Sequence, residues 1–337
     1  MANQKIKFAV IGCGHIGKRH ASMILGNQDS ELVAMCDILP KERLNGMDIF
    51  SNTTFFNSID DLLSANLDID VINIASPNGF HEEHALKVLS ANKHVVVEKP
   101  MALTKVGCER IIYKALQNGK QVFCVMQNRY SPPSVWLKNI LDNGVLGKIF
   151  MVQINCYWNR DDRYYKPDSI TRKPTGWHGT KDLDGGTLFT QFSHFIDLMY
   201  WYFGDITNIQ AKFKDFNHEF TTDFEDSGFV SFDFMDGGMG SLNYSTSVWD
   251  KNLESSITII AKNGLSDKIT VIKKRIEEVV LGKDVDIIVS EWMGYCLFYE
   301  AMFDSVIFAR DNFLKSGGIM IPNIAEFFIA AALYEES

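Results

Sequence analysis

A glycine-rich turn near the N-terminus constrains the fold of this chain more than any other feature. Residues 6–11 are typical of a buried β-strand and lead directly into Gly12, Gly14 and Gly17, which have G-x-G-x-x-G spacing. A helix-compatible stretch follows as far as Leu25. In such a unit the first glycine permits a tight turn, the second lets the backbone approach a pyrophosphate, and the third lets helix and strand pack closely. The sequence therefore predicts a dinucleotide-binding unit, with phosphates on the helix N-terminus.

An acidic residue follows at the distance that this unit requires. The apolar run 32–36 ends in Asp37, about 20 residues beyond the last glycine, where a carboxylate accepts hydrogen bonds from the adenosine ribose. The alternative is an ordinary glycine turn followed by an exposed aspartate, but strand, helix and acid together favour the nucleotide. No arginine stands directly behind Asp37 to receive a 2′-phosphate, which favours NAD over NADP although Lys41 and Arg43 are close.

Strand-like and helix-like stretches continue to alternate after this unit. The apolar runs 71–75 and 94–97 lead into Ser76-Pro77-Asn78 and Glu98-Lys99-Pro100, and a helix-like stretch lies between them. Apolar strands interleaved with helices predict a parallel sheet that is covered on both faces. Ligands of such sheets bind beyond the carboxyl ends of the strands, where both turns fall.

The pattern changes in the second half of the chain. Residues 187–203 place apolar side chains at helical spacing, which predicts that His194 lies on a helix. From Ile206 to Ile260 strand-like runs alternate, and two of them flank the turn Asp236-Gly237-Gly238. This arrangement is typical of a β-hairpin and predicts an antiparallel second domain.

Composition and charge exclude several classes of protein. A length of 337 residues suggests about two domains, and 46% hydrophobic with 22% charged residues is typical of a globular chain. The net charge of −9 gives no basic field for a polyanion or an acidic membrane, so no nucleic-acid partner is expected. The six cysteines lack CxxC spacing, so neither a metal site nor a disulfide framework is expected. With no signal-peptide pattern and no membrane-spanning apolar stretch, a cytoplasmic location is expected.

Three motifs in order resemble the Gfo/Idh/MocA family of nicotinamide-dependent sugar oxidoreductases. They are Ile-Gly-Cys-Gly-His-Ile-Gly at 11–17, Ala-Ser-Pro-Asn at 75–78 and Glu-Lys-Pro at 98–100. In detail the chain is similar to the branch that oxidises UDP-N-acetylglucosaminuronic acid at C3 for bacterial surface polysaccharides. The resemblance implies an α/β fold, with a doubly wound Rossmann sheet over 1–125. An α+β domain over 126–264 would follow, with an open, largely antiparallel sheet that forms the contact of a homo-oligomer.

The resemblance also implies roles for individual residues. Lys99 would stand beside the sugar hydroxyl after a cis peptide to Pro100, and His194 would take the hydroxyl proton as hydride leaves for the nicotinamide. Taken alone, Lys99 could be a surface lysine at a strand end and His194 a core residue. Contacts with NAD are expected from Gly12, Gly14, His15, Ile16, Gly17, Asp37, Ser76, Pro77, Asn78, His81, Glu98, Lys99 and Gln127.

Thr190 departs from the family pattern. Many members carry an aspartate four residues before the histidine, where it orients the imidazole, and a hydroxyl cannot stabilise imidazolium as a carboxylate does. The UDP-sugar branch accepts a polar, uncharged residue there. The resemblance places the sugar nucleotide, whose anionic groups suit arginine, among Arg129, Arg163, Tyr165, Trp177, His178, Thr190 and His194. A packing or surface role is the alternative for the first five of these residues.

After about Gly264 the family resemblance stops. The stretches 267–272 and 285–295 and the run to Pro322 resemble protein arginine methyltransferases. Glu291 with Glu300 resembles the double-glutamate loop that grips a guanidinium. Alternatively, Glu291 ends a strand and Glu300 faces solvent. Because no S-adenosylmethionine loop precedes them, we interpret 265–337 as a methyltransferase fragment without a cofactor site, joined to an oxidoreductase that lacks the end of its second domain.

One function and two alternatives are therefore expected. The first is an NAD-dependent oxidoreductase that takes hydride from a sugar hydroxyl, at C3 of a UDP-N-acetylhexosaminuronic acid. The alternatives are arginine methylation through Glu291 and Glu300, and a nucleotide-binding scaffold without turnover. The second domain would either receive replacement strands from 265–337 or keep an open, aggregation-prone edge.

Overall fold

The computed structural model describes residues 5–262, 275–282, 284–289 and 303–321. The chain divides into two compact units, Met1–Gly264 and Leu265–Ser337, which we call the first and the second unit. No helix among the described residues is long and apolar enough to cross a membrane.

The first unit begins with a six-stranded parallel sheet. Its strands are β1 Ile6–Ile11, β2 Ser30–Cys36, β3 Thr54–Phe56, β4 Val71–Ile74, β5 His94–Val97 and β6 Val122–Cys124. Their order in the sheet is β3-β2-β1-β4-β5-β6, and each neighbouring pair is parallel. The order reverses between β1 and β4, and sheets of this kind bind ligands at such a switch point.

Helices cover both faces of this sheet. They are α1 His15–Gly26, α2 Ile59–Ser64, α3 His81–Ser90 and α4 Lys105–Gln117. On one face, Ala21 and Ile24 of α1 join a core with Val10 and Met35. On the other face, α2, α3 and α4 pack around a core that includes Ile72. The doubly wound parallel sheet predicted from the sequence is confirmed.

A mixed sheet follows in the same unit. Its strands are β7 Lys148–Tyr157, β8 Ile206–Lys214, β9 Ser227–Phe234, β10 Met239–Ser245 and β11 Glu254–Lys262, in the order β11-β7-β10-β9-β8. Only the contact between β7 and β10 is parallel. The predicted hairpin is β9–β10, and its turn holds Gly237 and Gly238 at φ values of 90° and 99°.

Four helices belong to this second domain, and they are α5 Pro132–Asp142, α6 Asp162–Tyr165, α7 Thr187–Thr190 and α8 Ser193–Phe203. Phe195 and Met199 of α8 pack on one face of the mixed sheet. On the opposite face, which we call the open face, Met239 and Ile260 both lie beside Met151, and Phe229 lies further along, opposite Asn243. The side chains of Phe229, Met239 and Ile260 are exposed. The open, largely antiparallel sheet predicted for this domain is confirmed.

The second unit is described in part. It contains helix α9 Phe303–Phe313 and strands β12 Val285–Val289 and β13 Leu314–Ile321. Among the strands that the structure describes, β12 and β13 pair in parallel with each other alone.

Candidate active site

The three glycines of the turn after β1 have different surroundings. Gly12 has φ +88°, and a Cβ atom there would lie 2.6 Å from the carbonyl group of Ala75. A Cβ atom at Gly17 would lie 1.7 Å from the carbonyl oxygen of Gly12. A Cβ atom at Gly14, by contrast, would have no neighbour within 4 Å. Gly12 and Gly17 are thus required by packing, whereas Gly14 leaves open space beside the backbone.

This open space adjoins the N-terminus of α1. Gly14 is the N-cap residue, and no side chain caps the helix. The first N–H groups of a helix have no partner within it, and they favour a negative charge. His15, Ile16 and Gly17 carry these groups, so the turn fits a pyrophosphate.

Asp37 lies at the end of β2, beside the glycine turn. Its Oδ2 accepts a hydrogen bond from the Cys13 N–H at 2.7 Å, and its Oδ1 accepts one from the Leu39 N–H at 2.9 Å. Each carboxylate oxygen can accept a further bond, so Asp37 can hold two ribose hydroxyls. Lys41 is engaged elsewhere, because its Nζ donates to the carbonyl oxygen of Phe50 at 3.3 Å. These contacts fit NAD.

His81 joins the two turns that follow β4 and β5. Its side chain is fully buried, with Nδ1 2.7 Å from the carbonyl oxygen of Pro100 and Nε2 2.8 Å from that of Ser76. Burial lowers the pKa of His81. The peptide between Lys99 and Pro100 is cis. The structure thus places His81 beneath the cofactor-side turns, where it can hold Ser76, Pro77 and Lys99 in place.

Glu98 directly follows β5 and borders a groove that is lined by residues of α1 and of the parallel sheet. Its Oε1 is 2.9 Å from Nε2 of His20, and Nδ1 of His20 is 3.0 Å from Nδ2 of Asn73. A cavity of about 480 Å³ is bordered by Glu98, Ile16 and Gln127. Three residues predicted for the cofactor therefore share one cavity.

Lys99 is held at the boundary between the two domains of the first unit. Its Nζ donates to the backbone carbonyl oxygen of Thr190 at 2.7 Å, which leaves two of its three N–H bonds without a partner among the described residues. Burial lowers the pKa of Lys99, against the attraction of Glu98 and Asp184. The ammonium group can therefore donate to a ligand oxygen.

The hydroxyl of Thr190 contacts Asp184 and Asn78. Its Oγ1 donates to Asp184 and accepts from Nδ2 of Asn78 at 3.0 Å. Asp184 is 1% exposed, and burial raises its pKa. Asn78, predicted to contact the cofactor, thus also ties the turn after β4 to the second domain. No role was predicted for Asp184 from the sequence, although it stands directly before Gly185 and Gly186.

His194 lies on α8, as predicted, and is 8% exposed. Its Nδ1 has no hydrogen-bond partner among the described residues. Burial and the charge of Lys99 lower the pKa of His194 to about 4. The imidazole is therefore neutral at neutral pH and can accept a proton.

Arg160 is a site residue that sequence reasoning missed. Its Nε donates to Oε1 of Gln191 at 2.7 Å, and its guanidinium lies over the rings of Trp158 and Tyr164, at 4.8 and 5.3 Å. The charge of Arg160 contributes to the lowered pKa of Lys99. Its Nη2 has no partner among the described residues and can bind an anion. An arginine within the aromatic run 157–165 was the available signal.

The other predicted substrate residues fall into two groups. His178 stacks on Trp177 at 3.6 Å, and burial followed by nearby lysines, including Lys99, lowers its pKa to about 4. These two residues adjoin Tyr164, whose ring is 4.6 Å from that of His178. The remaining three have other partners: Tyr165 is 3% exposed, Arg163 pairs with Asp161 on the surface, and Arg129 binds Asp197 at 2.5 Å. The structure does not bring these three side chains to Lys99.

A parallel sheet with a glycine turn at its switch point, and a second domain that brings His194 and Arg160 towards Lys99, are typical of a dinucleotide-binding fold with a ligand site between its two domains. The chain belongs to the Gfo/Idh/MocA family. Residues 6–126 match the model of the oxidoreductase family with an NAD-binding Rossmann fold, and residues 135–265 match the GFO/IDH/MocA C-terminal domain. The NAD-binding domain predicted from the glycine turn is confirmed.

Individual relatives agree with this assignment. The crystal structure of the WlbA dehydrogenase from Bordetella pertussis in complex with NADH and UDP-GlcNAcA is 33% identical, covers 78% of this chain and 75% of that chain, and has a TM-score of 0.70. The inositol 2-dehydrogenase of Salmonella typhimurium is 29% identical over 199 residues, which are 58% of this chain and 54% of that protein. The chain spans about half the length of the curated dehydrogenases it matches.

A separate match concerns a different family. The probable protein arginine N-methyltransferase 6.2 of Oryza sativa is 51% identical over 75 residues, which are 22% of this chain and 19% of that protein. The chimeric composition predicted from the sequence is confirmed. Glu291 and Glu300, the predicted double-glutamate pair, lie outside the described residues.

Proposed function

We propose that this protein is an NAD-dependent oxidoreductase that removes hydride from a sugar-nucleotide hydroxyl carbon, with C3 of a UDP-N-acetylhexosaminuronic acid as the reacting position. The observation that carries the proposal is that Lys99, held by the Thr190 carbonyl oxygen, lies close enough to His194 for its charge to lower the pKa of that histidine, at the ligand-binding edge of the parallel sheet. The similarity to the WlbA structure, which holds NADH and UDP-GlcNAcA, supports the choice of substrate. We assign residues 1–125 to the cofactor and 126–264 to the substrate.

Gly12, Gly14, Gly17 and Asp37 would hold the cofactor. The open space at Gly14 suits a pyrophosphate, and the remaining acceptor positions of Asp37 suit ribose hydroxyls. When bound, NAD supplies a hydride acceptor.

The chain's own residues manage the proton and the orientation of the substrate. Lys99, fixed by Thr190, can donate a hydrogen bond to the oxygen of the reacting hydroxyl. An adjacent positive charge stabilises the negative charge that develops on this oxygen. The neutral imidazole of His194 can accept the hydroxyl proton, although its lowered pKa makes it a weaker base than a free histidine.

Arg160 accounts for recognition of an acidic sugar. Its guanidinium is held by Gln191 and by two aromatic rings, so little conformational freedom remains to be lost when it binds a carboxylate. Substrates with an uncharged group in place of the carboxylate should therefore bind less tightly.

Absorbance of reduced nicotinamide, measured with NAD and UDP-N-acetylglucosaminuronic acid, tests the proposal. We expect Lys99→Met and His194→Asn to lower kcat by about 10²- to 10⁴-fold while NAD still binds. Lys93→Met and His94→Asn are matched controls of the same residue types at the start of β5, and we expect wild-type kcat for both. NAD binding without turnover of any UDP-sugar would favour the alternative of a nucleotide-binding scaffold that catalyses no reaction. Binding of labelled S-adenosylmethionine without NAD binding would refute the proposal.

We further propose that the chain forms a homo-oligomer through the open face. Phe229, Met239 and Ile260 lie there without cover from any described element of the first unit. Exposed apolar side chains that share one face of a sheet are typical of an interaction surface. Sedimentation velocity should show a species larger than one chain, and Phe229→Lys should shift it towards the monomer.

A further inference from the structure

The loop between β8 and β9, residues 215–226, contains a buried histidine that the proposed chemistry does not use. His218 is 4% exposed and Asp226 is 1% exposed. Nδ1 of His218 lies 3.0 Å from Oδ2 of Asp226, and Nε2 lies 2.6 Å from the backbone carbonyl oxygen of Arg160. Both ring nitrogens of His218 thus face oxygens.

The carboxylate of Asp226 distinguishes His218 from His81, whose two ring nitrogens face uncharged carbonyl oxygens and whose pKa is lowered by burial. A neutral imidazole has one N–H donor, whereas a carboxylate and a carbonyl oxygen can only accept. Only an imidazolium donates to both Asp226 and Arg160. Asp226 also accepts from the hydroxyl of Ser247 at 2.6 Å and from two backbone N–H groups of the loop, which stabilise its negative charge.

The electrostatic surroundings agree with a charged His218. Burial opposes the charge, but the hydrogen bonds to Asp226 and to the Arg160 carbonyl raise the pKa of His218 above its ordinary value. The other titratable or charged groups that face it from its own loop and from the segment 159–165 are Asp215, Asp162, Tyr165 and the Arg160 guanidinium. Asp215, His218 and Asp226 are close enough to form a candidate metal cluster, but both imidazole nitrogens of His218 already lie within hydrogen-bond distance of an oxygen.

The loop contacts two backbone segments that carry residues of the candidate active site. His218 holds the backbone of Arg160, whose guanidinium contacts Gln191. On the other side, the Asp223 N–H donates to the carbonyl oxygen of Gly179, next to His178, at 2.8 Å. The position of the loop therefore affects the backbone of Arg160 and the backbone next to His178, and both residues lie close enough to Lys99 to interact with it electrostatically.

We propose that His218, as an imidazolium, is a positioning residue that fixes Arg160 and thereby sets the affinity for the anionic group of the substrate. This inference rests on the proposed function, because it assumes an acidic sugar nucleotide that binds Arg160. His218 itself touches no reacting atom.

The inference has a defined pH dependence. Below the raised pKa of His218 both hydrogen bonds are present. As pH rises through that pKa, one nitrogen loses its proton and its lone pair faces an oxygen, so the contact with Asp226 or Arg160 becomes repulsive. The KM for the sugar nucleotide should therefore rise on the alkaline side, while the affinity for NAD stays constant.

Steady-state kinetics between pH 6 and pH 9, on the full chain, tests this with His218→Gln. An amide can donate to one partner with the right geometry but not to both. We expect the variant's KM to be about tenfold higher at neutral pH, as for the loss of one charge-assisted hydrogen bond. Its kcat should stay near the wild-type value, and the KM step attributed to His218 should be absent. Any alkaline step that remains in the variant belongs to another group, such as Lys99.

Two further variants separate positioning from loss of stability. Asp226→Asn removes the charge partner of His218 and should move the KM step to lower pH. Thr222→Val, the matched control, removes a buried hydroxyl that donates to Phe224 in the same loop, and should leave KM and its pH profile unchanged. An equal rise of KM in the control would contradict a specific role for His218, as would a wild-type KM in His218→Gln.

Measurements that need no turnover distinguish failure of this inference from failure of the proposed function. Imidazole ¹⁵N NMR should show both nitrogens of His218 protonated at neutral pH, and the Arg160 Nε–H signal should shift in His218→Gln. A neutral tautomer, or an unmoved Arg160 signal, would overturn the positioning role whatever the enzyme oxidises. A charged His218 in a protein that oxidises no sugar nucleotide would instead refute the proposed function.

Discussion

Alanine substitutions in the glycine turn should separate a packing role from a ligand-binding role. At Gly12, alanine would have to adopt φ +88°, which costs about 1–2 kcal/mol for a left-handed conformation. Its Cβ would also lie 2.6 Å from the Ala75 carbonyl group, and relief of such overpacking costs about 1–3 kcal/mol. The total loss of about 2–5 kcal/mol is a large part of a typical free energy of unfolding, about 5–15 kcal/mol.

Gly14→Ala should behave differently. Gly14 has φ −66° and ψ −165°, which alanine adopts freely, and no atom lies within 4 Å of the added Cβ. Alanine is a poorer N-cap than glycine, so a loss of about 0.5–1 kcal/mol is expected. A methyl group in the open space would, however, obstruct a pyrophosphate, and we expect the Kd for NAD to rise about tenfold or more, equivalent to about 1.4 kcal/mol.

Thermal melts and calorimetric titration with NAD measure the two effects separately. Gly12→Ala should lower Tm by about 4–20 °C, because each kcal/mol shifts Tm by about 2–4 °C in a domain of this size. Gly14→Ala should melt within about 4 °C of the wild type and bind NAD poorly. Wild-type NAD affinity in Gly14→Ala would refute the assignment of the open space to the cofactor. An unchanged Tm in Gly12→Ala would refute the packing argument.

Three further predictions concern other parts of the chain. Asp37→Ala should weaken NAD binding about tenfold or more, since it removes the ribose acceptor and a bond to the glycine turn, and calorimetry showing wild-type affinity would mean that the ribose lies elsewhere. With a pKa of about 4, His194 stays neutral down to that pH, so kcat/KM should remain level from pH 7 to pH 5 and fall only in more acid solution. An acid limb near the ordinary imidazole pKa, about 6.5, would contradict His194 as the free-enzyme base. Deletion of residues 265–337 should leave the Tm of the first unit unchanged by calorimetry, because residues 1–264 form a compact unit with hydrophobic cores of their own, and a lower Tm would show that the deleted segment stabilises it.

The cofactor-binding domain could be predicted because the residues that indicate it lie close together in the sequence. The strand, glycine turn, helix and Asp37 lie within one short stretch, and backbone geometry alone requires glycine at Gly12 and Gly17. The contacts of Thr190 could not be predicted in the same way. Its hydroxyl meets Asn78, which is 112 residues away in the sequence, so the partner depends on how the two domains pack.

In the second domain, residue type alone does not predict which side chains are available to bind the substrate. Arg129 and Arg163 suit an anionic ligand, but each is paired with an aspartate of its own domain. Arg160, for which no role was predicted from the sequence, has a guanidinium oriented by Gln191 and the aromatic rings. Sequence identifies which side chains can bind an anion, whereas the tertiary contacts decide which of them remain available.

The open face of the mixed sheet has a thermodynamic consequence. Phe229, Met239 and Ile260 lie on one surface, and hiding that surface in a contact between identical chains would stabilise the native state by mass action. The melting temperature would then rise with protein concentration. A Tm measured at a single concentration would therefore describe the association equilibrium together with the stability of the individual chain.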